Sequence, residues 1–321
     1  MSYTGPDVDP PRPRRSRRPV VVALAALVPG ALLGWAAYAA VGGAGDDRGG
    51  AARASASGVS RAPGSVSASP SRGDDDGRPS ASPGTGGSSS AAPPSASGPL
   101  EGKVVVIDPG HNPGNVRHTD EINRQVDVGT HRKECDTTGT STNDGYTEAE
   151  FTLDLAHRMR ELLRKQGATV RLTQDADRPF GPCVDERARI GNRAKADAVV
   201  SLHADGSGAG NRGFHVILPA AVNAGAADTR PVVGPSRDLG ERIAGHFVRV
   251  TGTPPSNYVG DGTGLVTRRD LGGLNLSTVP KVFVECGNMR DSKDAALLTS
   301  GAWRQKAALG ISEGIVSFLR G

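Results

Sequence analysis

The stretch Val104–Asn115, VVVIDPGHNPGN, decides how the rest of this chain is interpreted. Three valines and an isoleucine run into Asp108, and a Pro-Gly pair then ends the run just before His111. A continuous run of β-branched residues is typical of a strand buried on both faces, as in a parallel sheet. The stretch therefore predicts a buried strand that ends in a turn and presents a histidine at its carboxyl end.

Similar apolar runs recur along the chain and alternate with helical patterns. The predicted strands cover residues 103–108, 168–173, 197–204, 213–219 and 281–287, and the predicted helices cover 147–167, 185–196, 236–250 and 303–320. Thr147 has the spacing of an N-cap whose capping-box partner is Glu150. The alternation predicts an α/β domain of three layers over residues 101–321, with a mostly parallel central sheet flanked by helices.

The first hundred residues differ from this domain in composition. Residues 1–18 hold five arginines between Arg12 and Arg18 and predict a basic cytoplasmic tail. Residues 19–43 are apolar and uncharged, which indicates a transmembrane signal-anchor, with a cleaved signal peptide as the alternative. Residues 44–100 are rich in Gly, Ser, Pro and Ala and contain no aromatic residue, so we expect a disordered linker. Either N-terminal alternative places the domain outside the cytoplasm, anchored to the membrane or secreted.

The net charge of +4 does not indicate a nucleic-acid partner. Residues 1–100 carry 10 basic and 7 acidic side chains, which leaves 28 basic and 27 acidic side chains for the folded part. The basic excess belongs to the N-terminal topology signal, and we expect no nucleic-acid binding.

Three polar residues stand where buried strands end. His111 and His203 each follow a valine-rich run, and Glu285 occupies the corresponding place in KVFVEC. Ligands of open α/β sheets bind at the carboxyl edge of the strands. Two histidines and a glutamate that converge there suit a zinc site with an open coordination position.

A further carboxylate is expected at the start of the helix that begins after Thr147. Glu150 is accounted for by the capping box, whereas Glu148 has no such role and is favoured as a zinc ligand. Position alone does not separate the ligand and base roles between Glu148 and Glu285.

The three cysteines fit an exported domain. Cys135 lies in a polar loop and Cys183 precedes a helical pattern, and their pairing is the natural disulfide outside the cytoplasm. Cys286 is then expected to be a buried free thiol. The polar segment 115–145 shows no periodicity, so we expect a long loop, which the disulfide could hold as a lid over the site.

Four motifs in order resemble the zinc-dependent N-acetylmuramoyl-L-alanine amidases, the family whose domain opens with a strand ending in DPGH. The motifs are VVVIDPGHNPGN, TEAEFTLDLA, RARIGNRAKADAVVSLHAD and GLNLSTVPKVFVECGNM, and they span most of residues 101–321. STNDGYTE and GPCVDERA resemble the disulfide-bearing actinobacterial branch.

The resemblance implies a role for each candidate residue. His111, Glu148 and His203 match the zinc ligands and Glu285 matches the catalytic glutamate, while Arg187 and Asn192 match positions with a structural role. The implied reaction cleaves the amide between the lactyl group of N-acetylmuramic acid and L-alanine of the stem peptide in peptidoglycan. We expect a monomer.

The sequence departs from the family pattern at two places. Asn112 and Pro113 replace a glycine pair, and ECGNM replaces Glu-x-Gly-Phe, which questions substrate contacts at Asn288 and Met289. Two alternatives remain: a related zinc hydrolase of the cell wall, either an endopeptidase or a deacetylase, and an inactive wall-binding protein.

The other histidines receive no catalytic role. We expect His157, His215 and His246 to be structural or solvated. His118 and His131 lie in the long loop without a predicted role.

Overall fold

A computed structural model describes residues 98–321, which contain the whole predicted catalytic domain. The predicted tail, anchor and nearly all of the linker lie outside the described residues. Within residues 98–321, no helix combines the length and the apolar character that crossing a membrane requires.

Ten strands and seven α-helices make up the described part of the chain. The strands are β1 (Val104–Pro109), β2 (Gln125–Asp127), β3 (Arg132–Glu134), β4 (Thr169–Leu172), β5 (Ala198–Asp205), β6 (His215–Pro219), β7 (Asn223–Ala224), β8 (Ala227–Asp228), β9 (Leu265–Arg268) and β10 (Lys281–Asn288). The helices are α1 (Thr119–Asn123), α2 (Glu148–Lys165), α3 (Val184–Arg193), α4 (Val233–Thr251), α5 (Gly272–Asn275), α6 (Ser292–Leu298) and α7 (Gly301–Arg320).

Six strands form the central sheet in the order β4-β1-β5-β10-β6-β9. The first four strands are mutually parallel, β6 is antiparallel to β10, and β9 is parallel to β6. The predicted mostly parallel sheet is therefore confirmed. β9 was not predicted, and the sequence also gave no sign that β6 reverses direction.

Side chains that alternate along the strands fill the space on both faces of the sheet. On β1, Val105 and Ile107 join a large apolar cluster with α2, α4 and α7, whereas Val106 packs with Ile190 of α3 on the opposite face. Because successive strand residues point to opposite faces, a run of apolar residues produces a sheet covered by helices on both sides. The predicted three layers are present.

The segment 115–145 was expected to be a loop without regular structure, and this expectation is wrong. It contains a short 3₁₀ helix (Asn115–Arg117), α1 and the β2–β3 hairpin. These elements are too short to produce a periodic pattern, and their buried apolar side chains, Ile122, Val126 and Val128, are few.

Candidate active site

Neighbouring strands bring three of the predicted site residues to one edge of the sheet. β5 lies between β1 and β10, and His203 of β5 is in register with Glu285 of β10. His111 follows β1 by two residues and adopts the left-handed conformation, with φ at 62°. The rings of His111 and His203 meet edge to face, with their centroids 5.1 Å apart.

Close packing of backbone and ring fixes His203 beside this turn. A Cβ atom added to Gly110 would lie 2.4 Å from Cε1 of His203 and 2.6 Å from the carbonyl oxygen of Leu202. On its other side, the His203 ring stacks on Phe283 with an interplanar angle of 9°. Position 110 therefore requires glycine, because a side chain there would collide with the ring of His203.

Glu148 joins the two histidines from the first turn of α2. Its Oε2 lies 3.1 Å from Nε2 of His111, and its Oε1 lies 2.9 Å from Nδ1 of His203. The backbone N–H groups of Thr140 and Ala204 also donate to this carboxylate. Glu150 instead forms the predicted capping box with Thr147 and does not enter the site.

One donor atom from each of His111, Glu148 and His203 lies within 4.8 Å of the other two. Burial lowers the pKa of His111, but the carboxylates of Glu148 and Asp136 outweigh this effect and raise it to about 10. Burial raises the pKa of Glu148, but the two imidazoles outweigh it and hold the pKa below its usual range. The ionised carboxylate creates a negative potential between the imidazoles that favours a cation.

Glu285 faces the same cavity from β10, and one of its carboxylate oxygens is enclosed. Oε2 is buried and has no hydrogen-bond partner among residues 98–321. Burial, followed by the carboxylates of Glu148 and Asp205, raises the pKa of Glu285 well above its usual range. A carboxyl group with a raised pKa is suited to accept and release a proton near neutral pH.

Arg187 of α3 stabilises the turn at His111 through hydrogen bonds. Its guanidinium donates to Asp108, Asp136 and three backbone carbonyl oxygens, one of them that of His111 at 2.8 Å. Asp136 Oδ1 in turn lies 3.5 Å from Nδ1 of His111. The expected structural role of Arg187 is thus specific, because this side chain fixes the position and the ring of His111.

The second expected structural residue, Asn192, ties α3 to the segment before β10. Its side chain donates to the carbonyl oxygen of Leu276 and accepts from the N–H of Thr278.

A buried lysine that sequence reasoning missed completes this charge network. Lys281 Nζ lies 2.9 Å from Oδ2 of Asp108, and each residue is only 1% exposed. Lys281 pairs with Asp108, and Arg187 pairs with both Asp108 and Asp136. In the sequence Lys281 only begins a strand, where a solvated lysine is ordinary, so no local signal indicates its burial.

The predicted disulfide between Cys135 and Cys183 is present, and Cys286 is the buried free cysteine of the described residues. The bond anchors the segment 115–145 beside α3. Asp136 and Thr137, which follow Cys135 directly, both contact the His111 ring. The segment therefore contributes to the wall of the site.

The cavity at this edge of the sheet has a volume of about 250 Å³. Its lining includes His111, Glu148, His203 and Glu285, together with Thr137 and Thr140 from the segment 115–145. Asn288 and Met289 are fully buried and lie outside this lining. Asn288 instead donates to carbonyl oxygens of the 207–211 loop.

The remaining histidines separate into two groups. His118, His157 and His246 contact carboxylates near the surface, and His131 contacts the neighbouring Thr130. His215 differs, because it is buried and lies directly opposite Glu285 in the antiparallel pairing of β6 and β10.

Comparison with known proteins agrees with this geometry. Residues 105–317 match the family model described as N-acetylmuramoyl-L-alanine amidase. The N-acetylmuramoyl-L-alanine amidase Rv3717 of Mycobacterium tuberculosis is 43% identical over 222 residues, which cover 68% of this chain and 88% of that protein.

Two crystal structures of N-acetylmuramyl-L-alanine amidases named Ami1 are also similar. The protein from Mycobacterium smegmatis has a TM-score of 0.63 and 40% identity, covering 68% of this chain and 98% of that one. The protein from Mycobacterium abscessus has a TM-score of 0.61 and 40% identity, covering 68% and 100%. The chain therefore belongs to the family of N-acetylmuramoyl-L-alanine amidase enzymes.

Proposed function

We propose that this chain is a zinc-dependent peptidoglycan hydrolase. It cleaves the amide between the lactyl group of N-acetylmuramic acid and L-alanine of the stem peptide. The observation that carries the proposal is the convergence of His111, Glu148 and His203 within 4.8 Å, in a cavity that Glu285 also lines.

The donor set fits zinc. Two imidazole nitrogens and one carboxylate oxygen are a ligand set found in catalytic zinc sites, which keep a further position open. The carboxylate lies about equally near both imidazoles, with Oε2 at 3.1 Å from His111 and Oε1 at 2.9 Å from His203, and one donor atom of each residue lies within 4.8 Å of the other two. The negative potential that raises the pKa of His111 also stabilises a divalent cation placed between the rings. We assign His111, Glu148 and His203 as the ligands.

When bound, Zn²⁺ supplies a Lewis acid that polarises the scissile carbonyl and activates water at neutral pH. Glu285 takes up the proton of the attacking water on its carboxylate and passes it to the leaving nitrogen of L-alanine. Asp136 and Arg187 hold the His111 ring, and the buried environment of Glu285 keeps its proton affinity high enough for this transfer.

We further propose that the enzyme acts outside the cytoplasm as a monomer. Residues 101–321 are the catalytic domain, residues 19–43 anchor or export it, and residues 44–100 tether it. The location outside the cytoplasm is supported by the arginine-rich segment before residue 19 and by the similarity to an N-acetylmuramoyl-L-alanine amidase.

Three glutamate variants test the site assignment. Glu285→Gln should retain zinc but lose release of stem peptide, because the carboxamide cannot accept the proton. Glu148→Gln should lose both zinc and activity. Glu150→Gln is the matched control on the same helical turn; the glutamine oxygen can still accept the capping-box hydrogen bond, so this variant should retain zinc and activity.

Zinc content by elemental analysis and mass spectrometry of digested peptidoglycan supply the readouts. An amidase leaves intact glycan and an intact peptide that begins with a free L-alanine. Products cut within the peptide, products deacetylated on the sugar, or an active Glu285→Gln enzyme would contradict the proposal.

A further inference from the structure

Two buried polar atoms on adjoining strands lack partners. They are Oε2 of Glu285 and Nδ1 of His215, and neither has a hydrogen-bond partner within residues 98–321. A buried polar atom without a partner costs about 1–3 kcal/mol and therefore requires an explanation, of which a catalytic role is one.

The two side chains are direct neighbours across the sheet. Glu285 pairs with His215 in the antiparallel register of β6 and β10, and with His203 in the parallel register of β5 and β10. His203, Glu285 and His215 therefore form one row on the same face of the sheet. Residues directly opposite in an antiparallel pair have Cβ atoms about 4.5–5.5 Å apart. The two atoms are not hydrogen-bonded to each other in this structure, so a bond between them requires rotation about side-chain bonds.

The environment of His215 keeps it available as a neutral donor. The residue is 5% exposed, and its ring meets the ring of Tyr258 edge to face. The Tyr258 hydroxyl donates to Oδ2 of Asp205 at 2.7 Å, which fixes the tyrosine. Burial lowers the pKa of His215 to about 4, against an opposing effect of Asp205. Near neutral pH the imidazole is uncharged and carries one N–H group.

We propose that His215 is a positioning residue for Glu285. Its Nδ1–H donates to Oε2 of the Glu285 carboxylate, and this bond leaves the second carboxylate oxygen facing the cavity. The inference rests on the proposed role of Glu285 as the base that accepts the proton of water.

Such a bond fixes the rotamer of the Glu285 side chain. The Glu285 carboxylate receives no hydrogen bond from the described part of the chain, whereas Glu148 receives two from backbone N–H groups. Neighbours that orient the residues of a metal site typically change activity by about 10–100-fold when removed.

Three substitutions of His215 separate positioning from space filling. His215→Leu removes the donor, His215→Asn places an amide nitrogen close to the position of Nδ1, and His215→Gln places it close to Nε2. Both amides are neutral and similarly polar. A space-filling role favours the larger glutamine, whereas a positioning role favours asparagine.

The full zinc-loaded chain is assayed on a soluble muropeptide, with zinc content and thermal unfolding measured for each variant. We expect His215→Leu to lower kcat by about 10–100-fold with little change in KM and in zinc content. His215→Asn should restore kcat to within a few-fold of the wild-type value, and His215→Gln should not.

Two outcomes overturn the inference: a wild-type kcat for His215→Leu, or a kcat for His215→Gln equal to or above that of His215→Asn. If His215→Leu fails to fold, the comparison of kcat between His215→Asn and His215→Gln still tests the inference. Glu285→Gln, measured in parallel, distinguishes this failure from that of the proposed function. If Glu285→Gln is inactive while His215→Leu is fully active, only the role of His215 is wrong.

Discussion

Replacing Lys281 with methionine tests the buried charge network under the active site. Methionine preserves the length of the side chain but leaves Arg187 as the one arginine or lysine within residues 98–321 that pairs with the two buried carboxylates, Asp108 and Asp136. Removing one partner of a buried ion pair costs about 3–5 kcal/mol. Asp108 retains Arg187 and two hydroxyl donors. We therefore expect the lower end, a loss of about 3 kcal/mol in the free energy of unfolding at neutral pH.

The loss should depend on pH in a defined direction. Burial raises the pKa of Asp108, but Lys281 and then Arg187 outweigh this effect and hold the pKa below its usual range. Because the pKa is lower in the folded than in the unfolded state, the stabilisation is fully present above about pH 4 and is lost as the pH falls further. Lys281→Met weakens this shift, so the stabilities of variant and wild type should converge at acidic pH.

Urea unfolding followed by circular dichroism, at neutral pH and below pH 4, measures both effects. The double variant Asp108→Asn/Lys281→Met is the matched control, because it restores the balance between Arg187 and Asp136. Its loss of stability should be smaller than the sum of the two single losses. Additive losses, or a loss under about 1 kcal/mol for Lys281→Met alone, would refute charge balance as the cause.

Three further variants probe the positioning of the site residues and the stability of the fold. Asp136→Asn should weaken zinc affinity by about 10–100-fold, because the ring of His111 loses its carboxylate partner. Competition with a chelator measures this affinity. Gly110→Ala should reduce both zinc content and kcat, since the added methyl group collides with the ring of His203. Replacing Cys135 and Cys183 together by serine should lower the free energy of unfolding in urea by about 4 kcal/mol, the entropy of the closed loop.

For each of these three predictions, a specific result would contradict the expected effect. Gly208→Ala is the control for the glycine, because its added Cβ has no neighbour closer than 4.0 Å. Equal zinc content in the two alanine variants would show that Gly110 does not limit the packing of the site. An unchanged zinc affinity in Asp136→Asn would show that Asp136 does not position the His111 ring for the metal. An unchanged urea midpoint in the variant without the disulfide would show that this bond does not stabilise the fold.

The parts of the fold that follow from local patterns were predictable. Continuous valine runs predicted β1, β5 and β10, because a strand buried on both faces needs apolar residues at every position. The Thr147 capping box predicted the start of α2, since its hydrogen bonds lie within one turn. The antiparallel β6 and the added β9 were not predictable, because strand direction depends on how the chain returns to the sheet.

The candidate site divides in the same way. A histidine at a strand end is visible in the sequence, and His111 and His203 were found by that signal. Lys281 and Asp136 were missed, because their partners lie 173 and 51 residues away along the chain. His215 was interpreted as structural, and only the register of β6 against β10 reveals that it faces Glu285.

The backbone of His111 links the stability of the fold to the formation of the metal site. A non-glycine residue in the left-handed region costs about 1–3 kcal/mol and persists only where its surroundings hold it. Here Arg187 and Gln174 donate to the carbonyl oxygen of His111, and Asn112, at an unexpected position in the motif, donates to the carbonyl oxygen of Gly181. Partners from residues 174–187 thus hold the left-handed turn at His111. Loss of any one partner should therefore reduce stability and metal affinity together, whereas a change confined to the ring of His203 should reduce metal affinity alone.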